Sequence, residues 1–204
     1  MSWRRRAAST LVALSLVATA TGRAQGFRPQ FGFGTGLTVP VGDYHAAPSG
    51  QGFTGAWQGM IFAAFARPES RLGFRVDATY GTNGANDRLK AELQTRLGPA
   101  TDEQVKLLGL NLDLMYGSRS AARVKPYLLG GLGIYHVTIS VTSADSTTDD
   151  SGTKIAWNLG AGLSYGVGGV IAFLETRYVN LAAVSGFPRT TFLPITAGIR
   201  LRGR

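Results

Sequence analysis

The chain has 204 residues, enough for one domain of ordinary size. It contains 28 Gly, no Cys and only 16% charged residues, whereas an average soluble domain has about 25% charged residues. Without Cys no disulfide can stabilise an exported fold, so packing and backbone hydrogen bonds must do so. The formal net charge is +9, but the basic residues are scattered without interleaved aromatics, which disfavours nucleic-acid binding.

The N-terminal segment has the layout of a secretory signal. Three arginines, Arg4 to Arg6, precede an apolar stretch centred on residues 11–18, and small residues follow. We predict a cleaved signal peptide over residues 1–24, cut after Ala24 or after Ala20. A membrane anchor is the alternative, but the apolar run is shorter than the roughly 20 residues that a spanning helix needs.

The remainder, residues 25–204, is predicted to be all-β, because apolar and polar or small residues alternate repeatedly. In residues 72–81, for example, Leu72, Phe74 and Val76 alternate with Gly73, Arg75 and Asp77. Eight strands are predicted, at residues 30–40, 55–66, 71–82, 104–117, 124–140, 153–166, 170–181 and 190–201. Each supplies the 9–11 residues that a transmembrane strand needs.

The connections between these strands alternate in length. Short turns are predicted after strands two, four and six, and longer connections near 41–54, 83–103, 141–152 and 182–189. This alternation is typical of an eight-stranded, antiparallel, up-and-down transmembrane β-barrel with periplasmic turns, periplasmic termini and extracellular loops. Residues 85–97 are predicted to form either a short amphipathic helix or a mobile loop. The Ser-, Thr- and Asp-rich residues 141–152 are predicted to be flexible.

A membrane barrel presents its apolar face to lipid, so we predict that the polar, Gly-rich face lines the interior. The charged and amide residues on that face would form a structural network of Arg75, Asp77, Asn111, Asp113, Asn158, Glu175, Arg177 and Arg200. The interior of an eight-stranded barrel is only wide enough for side chains to fill it. These groups therefore favour a paired polar core; a passage lined by them is the alternative.

Aromatic residues near the predicted strand ends fit the girdles that flank a membrane barrel. They are Trp57, Tyr80, Tyr116, Tyr127, Tyr135, Tyr165 and Tyr178.

Catalytic and cofactor patterns are weak. His45 and His136 are the only histidines, and an enzyme acting on lipid would need His136 beside Ser140 or a similar nucleophile and an acid. No metal-ligand cluster is evident, and the Gly-x-Gly sequences lack the βαβ context of a dinucleotide loop, so no cofactor is predicted.

Four segments resemble the small outer-membrane β-barrel families, namely the general outer-membrane β-barrel domain, the OmpX-like and opacity-like proteins and the transmembrane part of OmpA. The segments are residues 33–44, with a Pro-x-Gly-Asp-Tyr exit, 126–135, 158–165 and 174–178, with a Glu-x-Arg-Tyr pattern. The resemblance implies a monomer in the outer membrane, in contact with lipid and lipopolysaccharide and inserted by the barrel-assembly machinery. One departure is that Leu201 and Arg202–Arg204 stand where these families commonly end on an aromatic residue.

The predicted function is therefore that of a non-enzymatic outer-membrane barrel, structural or surface-interacting through its extracellular loops. Two alternatives remain, a lipid-modifying barrel enzyme that uses His136 and a soluble periplasmic ligand-binding barrel.

Overall fold

The computed structural model describes residues 28–45, 52–66, 70–98, 101–118, 122–143, 146–184 and 188–201. The predicted signal peptide, residues 1–24, lies outside the described residues. No helix among those described is long and apolar enough to cross a membrane.

The described residues form eight strands and two short helices. The strands are β1 (Arg28–Pro40), β2 (Ala56–Ala66), β3 (Leu72–Gly84), β4 (Asp102–Gly117), β5 (Val124–Thr142), β6 (Thr147–Val167), β7 (Val170–Leu181) and β8 (Thr190–Leu201). Every strand pairs antiparallel with its sequence neighbours, and β1 also pairs with β8, so the sheet closes. The predicted eight-stranded antiparallel up-and-down barrel is confirmed.

The side chains alternate between the two faces of this closed sheet as the sequence pattern predicts. Many large apolar side chains lie on the outer face, where Leu132 is 65% and Ile155 is 67% exposed. The inner face carries the buried side chains, among them Arg75 at 1% exposure. An exterior of this kind is unfavourable in water and favourable in a lipid bilayer.

The connection from β3 to β4 contains helix α1 (Asp87–Leu97), so the helical alternative for residues 85–97 is confirmed. Asn86 caps its first turn, because the side-chain oxygen of Asn86 accepts a hydrogen bond from the Leu89 N–H at 2.8 Å. Gly98 follows the last turn with a φ of 107°, a left-handed conformation that favours glycine. Leu89 packs against the buried core, which fixes the helix to the barrel.

The prediction that residues 141–152 are flexible is wrong for most of this segment. β5 continues to Thr142 and β6 begins at Thr147, and the register pairs Thr142 with Thr147. Residues 144 and 145 lie outside the described residues. Thr is compatible with strands, and the backbone ladder continues beyond the point where the outward residues become polar.

Candidate functional site: the barrel interior

Five charged side chains meet in the middle of the barrel and form what we call the ion cluster: Arg75, Asp77, Asp113, Glu175 and Arg177. Arg75 and Asp77 are two residues apart on β3, so both side chains point inward. The register places Asp113 of β4 beside Arg75. Glu175 and Arg177 come from β7, on the opposite wall, and their side chains cross the interior to reach the β3 and β4 residues.

The ion pairs of the cluster join the two walls. The guanidinium of Arg75 donates two hydrogen bonds to the Glu175 carboxylate, each with an N···O distance of 2.9 Å. Arg177 Nη2 lies 2.8 Å from Asp77 Oδ2, and Arg177 Nη1 lies 3.0 Å from Asp113 Oδ2. Each arginine also binds the acid of its own strand through Nε, at 3.2 Å for Asp77 and 2.7 Å for Glu175. Such charge-assisted bonds fix the side chains across the bore.

Neutral side chains complete the hydrogen bonding of the carboxylates. Asn111 Nδ2 donates to Asp77 Oδ1 at 2.9 Å, and Asn158 Nδ2 donates to Asp113 Oδ1 at 2.8 Å. The Tyr127 hydroxyl donates to Glu175 Oε2 at 2.8 Å. Because buried carboxylates are costly unless they are paired and hydrogen-bonded, this shell is what makes the cluster tolerable inside the barrel.

The structure brings seven of the eight predicted network residues into one hydrogen-bonded group. Arg200 is the exception. It faces inward as predicted but lies four residues along β8 from Thr196, which pairs with Glu175. That offset is about 13 Å of strand, toward the end of the barrel that carries the termini. Arg200 lines a separate cavity there and is half-buried.

Two of the aromatic residues predicted to lie in the membrane girdles lie inside the barrel instead. Tyr127 and Tyr135 are buried, and Tyr135 accepts a hydrogen bond from Asn111 Nδ2 at 3.2 Å. The prediction was wrong because both faces of β5 are apolar, so alternation does not distinguish inside from outside. The others have the exposure that a girdle requires: Trp57, Tyr80, Tyr116, Tyr165 and Tyr178.

Glycines on the inner face make room for the large interior side chains. A Cβ at Gly131 would overlap the Asp113 side chain, and one at Gly133 would overlap Asn111 Oδ1. The rings of Tyr135 and Tyr127 likewise occupy the space that a Cβ would need at Gly109 and Gly162, respectively. The glycine positions on β4 and β6 were the available sequence signal that a tyrosine points inward.

The interior is not uniformly polar, which corrects the expectation of a polar, Gly-rich inner face along the whole barrel. Above the ion cluster, on the side of the long connections, buried apolar side chains form a continuous layer. It contains Val105, Leu107, Tyr135, Val137, Ala156, Val179, Leu181 and Phe192, together with Tyr44 and Phe53 from the β1–β2 connection. A smaller apolar group lies on the other side of the cluster: Met60, Phe62, Ala64 and Phe173.

The β1–β2 connection is attached over this apolar layer by polar contacts. Asn83 Nδ2 donates to Thr38 Oγ1 and to the Thr54 carbonyl, both at 2.8 Å, and Asn83 Oδ1 accepts from the Tyr44 hydroxyl at 3.3 Å. Burial, reinforced by the charge of Glu103, raises the pKa of Tyr44, so its hydroxyl stays protonated and able to donate. This end of the barrel is therefore closed by side chains from strands and connection alike.

The arrangement that a lipid-modifying enzyme would need is not assembled around His136. The imidazole is exposed on the outer face, and its Nδ1 lies 3.5 Å from Thr153 Oγ1. Ser140 is four residues farther along β5, about 13 Å away, and pairs with Asp149. The described residues contain no group of three or more His, Cys, Asp or Glu that could hold a metal ion.

A closed antiparallel barrel with an apolar exterior and a buried ionic interior defines the class of small transmembrane β-barrels. The sequence matches the family model of the outer membrane protein beta-barrel domain over residues 9–191. The chain belongs to this family, which supports a location in the outer membrane.

Among the solved structures with a similar fold are two outer-membrane proteins. Neisserial surface protein A (NspA) is 21% identical, with a TM-score of 0.55; the match covers 89% of this chain and 99% of that one. A major outer membrane protein from Thermus thermophilus is 12% identical, with a TM-score of 0.59, covering 86% and 98%. At these identities the likeness is one of fold. No curated protein sequence matches the chain significantly.

Proposed function

We propose that this protein is a closed, non-enzymatic outer-membrane barrel that acts as a structural or surface-interacting element of the cell envelope. The observation that carries this proposal is an interior occupied by side chains, surrounded by an apolar exterior. The ion cluster crosses the bore, and the apolar layer above it is capped by Tyr44 and Phe53. A filled interior leaves the parts outside the membrane to interact with other molecules.

The surface best suited to such interactions is the projecting β5–β6 hairpin. The outward residues of β5 change from apolar to polar after Ile134, and those of β6 are polar before Ile155. From His136 to Thr142 the strand therefore extends about 20 Å beyond the apolar band. Its outer face carries hydroxyl and carboxylate groups, which suit hydrogen-bonding partners at the cell surface.

The exterior argues against a soluble periplasmic barrel. Leucine, isoleucine, phenylalanine and tryptophan side chains are exposed around all eight strands, including Phe33, Ile61, Leu112, Leu159, Leu174 and Ile195. A monomeric soluble protein rarely exposes so large an apolar surface.

The absence of cysteine allows a direct test of location and orientation by single-cysteine labelling. Ser151→Cys lies on the projecting hairpin, and Gly169→Cys lies in the exposed turn between β6 and β7. Cells expressing each variant are treated with a maleimide coupled to a polymer too large to cross the outer membrane. We expect Ser151→Cys to be labelled on intact cells and Gly169→Cys only after the outer membrane is disrupted.

The unmodified chain, which has no thiol, is the control for background labelling. A soluble periplasmic protein would be labelled at neither position until disruption, and an inverted barrel would show the reverse pattern. Either result would overturn the proposal.

A further inference from the structure

The periplasmic opening of the barrel contains a positively charged cavity. Its volume is about 150 Å³, and its lining includes Arg71, Lys125 and Arg200 together with Gln30 and Ser164. Among the described residues on this side of the ion cluster there is no Asp or Glu. Three basic side chains with hydroxyl and amide neighbours are suited to binding a phosphate group.

The cavity adjoins a groove on the outer wall. Arg71, Ser118 and Pro126 line both. Arg71 is held at the junction, because its Nη1 donates to the hydroxyl of Tyr116, an exposed girdle residue, at 3.1 Å.

The groove itself is apolar and shallow. Leu128, Leu163 and Leu174 line it around Ala161, and the register places Ala161 between Leu128 of β5 and Thr176 of β7. The small Ala161 side chain leaves a depression among larger neighbours. An acyl chain fits this surface, whereas a free anion would gain nothing from it.

We propose that the cavity and groove together bind one anionic phospholipid of the periplasmic leaflet. The phosphate lies in the cavity near Arg71, Lys125 and Arg200, and one acyl chain lies in the groove over Ala161. This inference rests on the proposed placement and orientation in the membrane. A lipid is favoured over peptidoglycan or free phosphate because the basic cavity adjoins an apolar surface that faces the bilayer.

Native mass spectrometry of the folded protein in detergent, titrated with dioleoylphosphatidylglycerol, tests the headgroup site. The variant Arg71→Gln/Lys125→Gln removes two charges from the cavity and leaves the half-buried Arg200 in place. Because basic residues near an anionic lipid each strengthen its binding, we expect the first lipid adduct to bind at least tenfold more weakly. The matched control Arg88→Gln/Arg96→Gln removes two exposed charges from α1, at the opposite end of the barrel, and should bind like the unmodified protein. Heat-modifiable migration on a gel verifies that each variant is folded.

A second variant separates the lipid from other anions. Ala161→Phe fills the groove without changing charge, and its exposed position makes it compatible with folding. We expect it to weaken phosphatidylglycerol binding as well. Unchanged phosphatidylglycerol binding in Ala161→Phe, together with displacement of the lipid by inorganic phosphate alone, would overturn the lipid assignment. Equal losses of lipid affinity in the cavity variant and the control variant would overturn it too. Binding to purified peptidoglycan that depends on Arg71 and Lys125 would also overturn it. Labelling at Ser151→Cys is independent of these outcomes, so a failed lipid site and a failed membrane placement are distinguishable.

Discussion

At the scale of single residues, the charge balance of the ion cluster predicts that Arg177 contributes strongly to the stability of the barrel. This arginine binds Asp77 and Asp113 on the facing wall and Glu175 on its own strand, and its side chain is 5% exposed. In Arg177→Met the three carboxylates would retain only Arg75 as a cationic partner. Breaking a buried ion pair in this way costs about 3–5 kcal/mol, so we expect a loss of that size in the free energy of unfolding. Equilibrium unfolding of the barrel in urea and detergent measures it.

Arg96→Met is the matched control. Arg96 pairs with Glu92 on α1 at 2.7 Å, but its side chain is 72% exposed, so the change should cost less than about 1 kcal/mol. Equal and small losses in both variants would show that the cluster does not stabilise the barrel.

The residues of the ion cluster could be found from the sequence because a charged side chain on an otherwise apolar strand reveals its face. Asp77 and Arg177 could point only inward in a membrane barrel. Tyr127 and Tyr135 could not be placed in this way, since tyrosine is suited to both a lipid interface and a hydrogen-bonded interior. Which wall each arginine reaches depends on closure of the sheet. Neither alternation nor spacing along one strand encodes the distance between opposite walls of the barrel.

At the scale of elements, the strands within the apolar band were predictable and the part beyond it was not. β7 and β8 begin and end as predicted, and their outward faces carry apolar residues such as Leu174 and Ile195. In β5 the outward residues become polar from His136, and in β6 they are polar before Ile155, whereas pairing continues to Thr142 and Thr147. Cross-strand hydrogen bonds require no apolar face, so a hydropathy pattern marks where the lipid ends and not where the strand ends.

This difference predicts that the tip of the β5–β6 hairpin can be removed. Ile139 and Asp150 are register partners, so residues 140–149 can be replaced by an Asn-Gly turn. We expect the shortened protein to fold and to keep its heat-modifiable migration, because the removed residues contribute little to the buried apolar layer.

A deeper deletion is the comparison. Joining Tyr135 to Lys154 through the same turn removes Val137, which is 2% exposed in the apolar layer, together with Ile139. That variant should lose heat-modifiable folding. Loss of folding in the shorter deletion instead would mean that the hairpin tip is required for the barrel to form.

At the scale of the whole molecule, two layers of different chemistry close the same bore. The ion cluster spans the middle, and the apolar layer lies between it and the long connections. The cluster was accessible to sequence reasoning through its charges. The apolar layer was not, because its members come from β4 to β8 and the β1–β2 connection and share a volume only once the sheet has closed.

Two independent closures predict that loss of one leaves the barrel non-conducting. The double variant Glu175→Ala/Arg177→Ala removes one acid and one base from the ion cluster, so the net charge inside is unchanged. In planar lipid bilayers we expect no stepwise ion conductance from either the unmodified protein or this variant, because the apolar layer excludes hydrated ions. Leu174→Ala/Thr176→Ala, on the outward face of the same strand, controls for the loss of side-chain volume. Discrete conductance from the unmodified protein would contradict a closed barrel. Conductance from the Glu175→Ala/Arg177→Ala variant alone would show that the ion cluster, and not the apolar layer, seals the bore.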